Sequence, residues 1–204
     1  MPPRTRTTFA AGEALDAELG SAAQRERRQR ILDATLALAA KGGFDAVQMR
    51  TVAAAANVAL GTLYRYFPSK IHLLVSGLAR ELERTQEKLD RGPIPGETPY
   101  DRTLYVLHRM TRVMQREPML TEAMTRAFMF ADPSAAAEVN TVARLMGRML
   151  TTAMHDGEPS ADDLAIACVI GDVWLSNLVA WVTRRASAND VSSHLELAAR
   201  LLLN

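Results

Sequence analysis

Residues 48–70 read Gln-Met-Arg-Thr-Val-Ala-Ala-Ala-Ala-Asn-Val-Ala-Leu-Gly-Thr-Leu-Tyr-Arg-Tyr-Phe-Pro-Ser-Lys. The pattern predicts two short helices, about Met49–Ala56 and Leu60–Phe67, separated only by Asn57-Val58-Ala59. Two helices so close can cross at a steep angle only if small residues line the inside of the bend, and Ala53, Ala54, Ala55 and Ala56 supply them. The turn needs a residue that tolerates left-handed backbone, and after glycine Asn is the best choice, as at Asn57. Val52, Val58 and Leu63 then form a small core, closed from outside by Phe44 and Phe67. The second helix is left to present Gly61, Thr62, Tyr64, Arg65 and Tyr66 outward. Hydroxyls, a guanidinium and a glycine permitting close approach suit a helix laid in a DNA major groove.

Toward the N-terminus, Ile31, Leu32, Thr35, Leu36, Leu38 and Ala39 repeat with helical period behind the basic run Arg25-Glu-Arg-Arg-Gln-Arg30. Ser21 is the expected N-cap and Gly42-Gly43 the stop. Met1 to Gly20 reads as a flexible arm. Net charge is only +1, yet residues 21–70 hold eight Lys or Arg against the three acids Glu26, Asp33 and Asp45, while residues 71–204 hold fourteen against seventeen. A basic front end on a mildly acidic body fits one part that meets phosphate and one that does not.

Toward the C-terminus, Pro68-Ser69 breaks the chain and Ser69 caps a helix expected over Lys70–Arg91. Gly92-Pro-Ile-Pro-Gly96 punctuates, and helical segments follow at about Tyr100–Glu117, Met119–Ala131, Ser134–Asp156, Ala161–Ser187 and Val191–Leu203. No segment alternates like a strand. The expectation is an all-α chain of about nine helices: an arm (1–20), a three-helix helix-turn-helix domain (21–70) and a larger helical effector-binding and dimerisation domain (71–204).

Phe44, Val52-Ala53, Val58, Gly61-Thr62-Leu63-Tyr64, Tyr66-Phe67 and Lys70 together resemble the helix-turn-helix of the TetR family of bacterial regulators. The resemblance covers about residues 25–75. It implies that Leu60 to Tyr66 is the recognition helix, with Thr51 and Lys70 on phosphate, Arg50 beside them, and Arg25, Arg27 and Arg28 reaching phosphate or a minor groove. It also implies a repressor that binds double-stranded operator DNA as a homodimer through its last two helices and answers to a small-molecule effector. Asn57 stands where the family usually has Gly, Ala59 where a capping Ser or Thr is common, and Leu60 where a polar residue often sits. The last two remove hydrogen-bonding groups from the reading end, which shifts weight to thymine-methyl contacts. Within the family the whole chain is similar to repressors of sterol catabolism, which implies a bulky sterol-derived effector with a coenzyme A thioester as one form.

Met110, Met114, Met119, Met124, Met129, Met146, Met149 and Met154 crowd into residues 110–154. Methionine fills irregular gaps and adapts to varied apolar ligands. Any single one of these is more readily core than ligand contact, but as a set they favour a large hydrophobic effector. With Phe128, Phe130, Leu150, Trp174, Leu178 and Trp181 they are candidates to line an elongated apolar cavity. Trp174 and Trp181, seven apart on one helix face, suit a pocket wall or a dimer anchor equally. Asp172 and Asn177 either orient a ligand group or face water.

Cys168 is the only cysteine, which excludes a disulfide framework; flanked by Ala and Val it is expected to be buried and inert. His72, His108, His155 and His194 lie far apart without metal-ligand spacing. No phosphate loop or nucleophile elbow is visible, so neither enzyme chemistry nor a cofactor is expected. No signal peptide and no run of about 18 uncharged apolar residues is seen, so the cytoplasm is the expected compartment. Three rivals remain open: a regulator answering to many drugs or other small molecules, a helical carrier of apolar metabolites, and a non-specific DNA-packaging protein. Activation in place of repression is open too. The expected release route runs from the effector to the Tyr100–Glu117 segment, then to the Lys70–Arg91 helix, then to the recognition helices.

Overall fold

Asn57 does adopt left-handed backbone, with φ 52°, and the chain turns there as the sequence requires. A computed structural model describes residues 7–203, with side chains from Ala22 onward. Among the described residues there are nine α-helices, one 3-10 turn and no strand: α1 (Thr7–Ala46), α2 (Met49–Ala55), α3 (Leu60–Tyr66), α4 (Lys70–Leu89), α5 (Pro99–Arg116), α6 (Pro118–Met129), the 3-10 turn Pro133–Ala135, α7 (Ala136–Met154), α8 (Ala161–Val182) and α9 (Ala188–Leu203).

The helix limits follow local chemistry. Ser69 Oγ accepts from the Ile71 amide at 3.2 Å and opens α4, as expected. Thr98 with Asp101 and Ser160 with Asp163 form reciprocal capping boxes at α5 and α8. Ser187 and Asp190 exchange the same pair of bonds at the start of α9. The helical path of α1 breaks at Gly42 (φ −151°, ψ 24°) and Gly43 (φ 66°, ψ −158°), where a stop is expected. Its beginning differs from expectation. The helix starts at Thr7, so Ser21 lies inside it and not at its first turn, and residues 7–20 continue the helical backbone where a separate arm is expected. The rest of that arm, residues 1–6, lies outside the described residues.

Helices α1 to α3 share a core of Ile31, Leu32, Leu36, Val47, Val52, Leu63 and Phe67, all buried. That core is continuous with the interior of the larger helical body. Helix α4 joins the two, buried from His72 to Ala79 and packed against α1, α6 and α7. Helix α1 packs on α6 more extensively than on any other element. The remaining layer pairs α5 with α7 and α9, and α8 with α7 and α9.

Helix α8 bears on two expectations and corrects one of them, the burial of Cys168. Over 22 residues it reaches a mean hydropathy of 1.7 in its most apolar window, only 28% of which is buried. By length and composition it is long and apolar enough to cross a membrane; a search for an uninterrupted apolar run misses it because Asp172 and polar Ser176 and Asn177 interrupt. It is covered on the stripe of Ala167, Ile170, Trp174, Asn177 and Leu178. Cys168 falls just off that stripe and is exposed, not buried.

Candidate nucleic-acid interface and effector cavity

The outer surface of α3 is built on one anchor. Leu63 is fully buried on the core, which turns its neighbours outward. Tyr64 is 47% exposed, and Gly61 and Arg65 are exposed as well. A Cβ added at Gly61 would meet nothing within 4 Å, so the backbone there is open to close approach. Thr62 is half-buried and sits 3.4 Å from the Arg65 guanidinium through its Oγ1. Leu60 and Tyr66 are half-buried and lean on the core, Tyr66 against Phe67 with ring centres 6.5 Å apart. No side chain caps α3 at Ala59.

Around this face lie the expected phosphate contacts. Arg50 and Thr51 are exposed in the first turn of α2. On α1, Arg25 and Arg28 are exposed and Arg27 is partly covered. Arg28 reaches over the Phe67 ring at 5.3 Å, which brings the basic run beside the end of α3. Lys70 behaves differently from its neighbours. Its ammonium donates to the Phe44 carbonyl at 2.8 Å and lies 3.8 Å from the Phe44 ring centre. Burial lowers its pKa, against an opposing pull from Asp45. In this structure its charge is turned toward Phe44.

A cavity of about 760 Å³ opens between α6, α7 and α8. That is ample for a large apolar ligand. Of the expected lining residues it gathers Met114, Met124, Phe128, Met146, Trp174 and Leu178. Met149 and Leu150 are fully buried core. Met110 lines a separate cleft of about 100 Å³ between α4, α5 and α6. Met129 is 53% exposed at the end of α6, as is its neighbour Phe130. Trp181 is half-buried and outside the cavity, so the two tryptophans part company and Trp174 alone is wall. Its indole N–H donates to Thr111 Oγ1 at 3.2 Å, which fixes the ring. Asn177 is engaged with the Val173 carbonyl and with His194 Nδ1, 2.8 and 2.9 Å away, whereas Asp172 does line the cavity.

The sequence reading misses the residues that make the space. Ala143, Gly147 and Thr151 on α7 and Ala167 and Gly171 on α8 lie one helical turn apart and line the cavity with little bulk. Arg144, Arg148, His155 and Asp156 give its rim a polar edge. Helix α5 supplies only Met114, while α6 supplies Met124, Thr125 and Phe128 and α4 supplies Leu78. The expected route out of the cavity through α5 therefore touches it at a single side chain, and α6 is the more extensive wall. Among the described residues no group of three His, Cys, Asp or Glu comes together as a metal site.

Residues 31–76 match the family described as bacterial regulatory proteins, tetR family, and residues 96–202 match the tetracyclin repressor-like C-terminal domain. The HTH-type transcriptional repressor KstR of Mycolicibacterium smegmatis is 64% identical over 188 residues, which is 92% of this chain and 92% of that one. A TetR transcriptional regulator from Rhodococcus sp. RHA1, solved by crystallography, is 33% identical with a TM-score of 0.82, covering 88% of this chain and 97% of that one. Thermus thermophilus FadR, solved in complex with lauroyl-CoA, is 22% identical with a TM-score of 0.67, covering 86% of this chain and 93% of that one.

Proposed function

Because the chain belongs to the TetR family of bacterial regulatory proteins and is a KstR-like transcriptional repressor, we propose that it grips operator DNA as a two-fold dimer and releases it when a bulky apolar effector fills the cavity. The observation that carries this reading is the pairing of an open, outward α3 face with a large apolar cavity in the same packed body. In this reading Leu60, Gly61, Thr62, Tyr64, Arg65 and Tyr66 meet the major groove, while Arg25, Arg27, Arg28, Arg50 and Thr51 hold phosphate. Lys70 reaches phosphate only by leaving Phe44. Residues 21–70 act as the DNA-binding unit and 71–204 as the effector and dimer unit, in the cytoplasm.

One recognition helix makes too few contacts for tight selective binding, so two copies are needed. Val169, Leu197 and Leu201 are exposed on α8 and α9, and they supply the apolar surface for a four-helix bundle with a second copy.

The effector proposed is a sterol- or lipid-derived metabolite, with a coenzyme A thioester as the preferred form. Its apolar part suits the walls of Met114, Met124, Met146 and Trp174; Arg144 and Arg148, one turn apart on the rim, suit an anionic part. The same fold houses lauroyl-CoA in Thermus thermophilus FadR. Release needs different affinities for two shapes. A change of a few ångströms in half-site spacing, out of roughly 34 Å per step, spoils simultaneous docking. The test is a gel-shift titration at fixed salt against the protein's own upstream DNA, with random competitor, repeated with a steroid coenzyme A thioester. Selective binding weakened by the thioester is expected. Equal affinity for random DNA, or the same operator affinity with the cavity filled, overturns the reading.

A further inference from the structure

Helix α6 has two faces with separate duties. Met124, Thr125 and Phe128 stand in the cavity wall. Glu122 and Arg126, four residues apart and so on one face, meet the corner where α1 hands over to α2. There Glu122 Oε2 accepts the Phe44 amide at 2.9 Å. Arg126 Nη1 lies 3.5 Å from both Asp45 Oδ2 and Glu122 Oε1, and its guanidinium carbon is 4.5 Å from the Phe44 ring centre. The Phe44 carbonyl is held from α4 by Lys70. Both backbone groups of Phe44 are therefore held by charged side chains from outside the three DNA-reading helices.

The approach is close enough to dictate the residue before Phe44. Gly43 has φ 66°, and a Cβ there would lie 2.7 Å from Glu122 Oε2. Hydrogen bonds to an ionised carboxylate are roughly twice as strong as neutral ones. Phe44 leads within five residues into α2, and its carbonyl also accepts the Val47 amide at 3.3 Å. A packed 12-residue helix such as α6 transmits a push on one side to the other, because close-packed interiors do not absorb it.

We infer that Glu122 is the positioning residue that couples the cavity to the DNA-reading helices: its carboxylate on the Phe44 amide makes α6 and the α1–α2 corner move together. The inference rests on the operator-binding reading above, and it bypasses α5. Because coupling between two sites is reciprocal, operator bound at α3 must be felt in the cavity wall without any effector present.

The experiment uses the full-length protein and the duplex upstream of its own gene. Hydrogen exchange is followed in peptides covering residues 118–129, with and without saturating duplex. Operator is expected to slow exchange there by about fivefold or more in the unmodified protein, the lower end of ordinary coupling. Glu122→Gln, which keeps an acceptor oxygen, retains the slowing. Glu122→Ala, still saturated with duplex, loses it while the melting temperature changes little. Wild-type slowing in Glu122→Ala, or none in the unmodified protein while it is bound, overturns the inference. Where Glu122→Ala is too unstable to purify, the Phe44 amide of the unmodified protein decides: it must slow in step with the α6 amides, and independent behaviour overturns the inference. Failure of the unmodified protein to bind the duplex would instead sink the operator reading itself.

Discussion

In the proposed operator complex, Gly61 separates what the fold needs from what DNA binding would need. Its Cβ position is empty to 4 Å, so a side chain there disturbs nothing in the protein. Glycine inside a helix costs roughly 0.5–1 kcal/mol relative to alanine, and Gly61 sits in the first turn of α3, which favours the lower figure. Gly61→Ala is therefore expected to stabilise each chain by about 0.5 kcal/mol, raising the melting temperature by about 1–2 °C in a domain of this size. Gly61→Phe also leaves the fold intact but places a ring on the surface laid against DNA. If each copy loses about 1–3 kcal/mol, the scale of one mismatched contact, the dimer loses at least about 2 kcal/mol, roughly 30-fold in operator affinity. Calorimetry and gel-shift titration at one salt concentration measure the two effects side by side. Operator affinity unchanged in a folded Gly61→Phe protein would refute the placement of α3 against the duplex.

Three further outcomes are expected. Gly147 lines the cavity and a Cβ there meets nothing within 4 Å, so Gly147→Phe should fill the space, preserve operator binding and abolish release by the thioester; unaltered release would place the effector elsewhere. Cys168 is exposed on the cavity wall, so N-ethylmaleimide should modify it in the folded protein and bound effector should slow that reaction; equal rates would argue against occupancy of this cavity. The carboxyls of Asp101, Asp132 and Asp163 are held below the ordinary value chiefly by the hydroxyls of Thr98, Ser134 and Ser160, and that of Asp190 chiefly by the Ser187 amide. Their folded pKa values lie below the unfolded ones, so this stabilisation is complete above about pH 4 and is lost as pH falls through the folded values. Circular dichroism of Asp163→Asn should show a shallower acid transition than the unmodified protein, and an identical profile would count against the cap.

Much of the fold was legible in residues whose local chemistry is short-ranged. Asn57 turns, Ser69 caps and Gly42-Gly43 breaks the helix, because each acts on backbone within a few residues. The same holds for α3, where one buried Leu63 sets every outward neighbour. The cavity was only half legible. Methionines and aromatics announce apolar volume, but packing decides which face inward, and Met149, Leu150 and Met129 went to core or solvent. Space itself is marked by missing bulk. Ala143 with Gly147, and Ala167 with Gly171, show small residues at four-residue intervals that read equally as tight helix packing. The contact of Lys70 with Phe44 was illegible for a third reason: the two are 26 residues apart, and a basic side chain at a helix start looks like a phosphate anchor whatever it touches.

If the proposed dimer forms through the uncovered side of α8 and α9, that side sets a lower bound on how scarce the protein can become. A solitary copy displays Val169, Leu197 and Leu201 to water, and such a surface invites non-specific association and proteolytic triage. Mass action then ties the lifetime of each chain to the abundance of its siblings. For the proposed dimer, dilution below its self-association constant would split the pair and leave each copy with this surface in water.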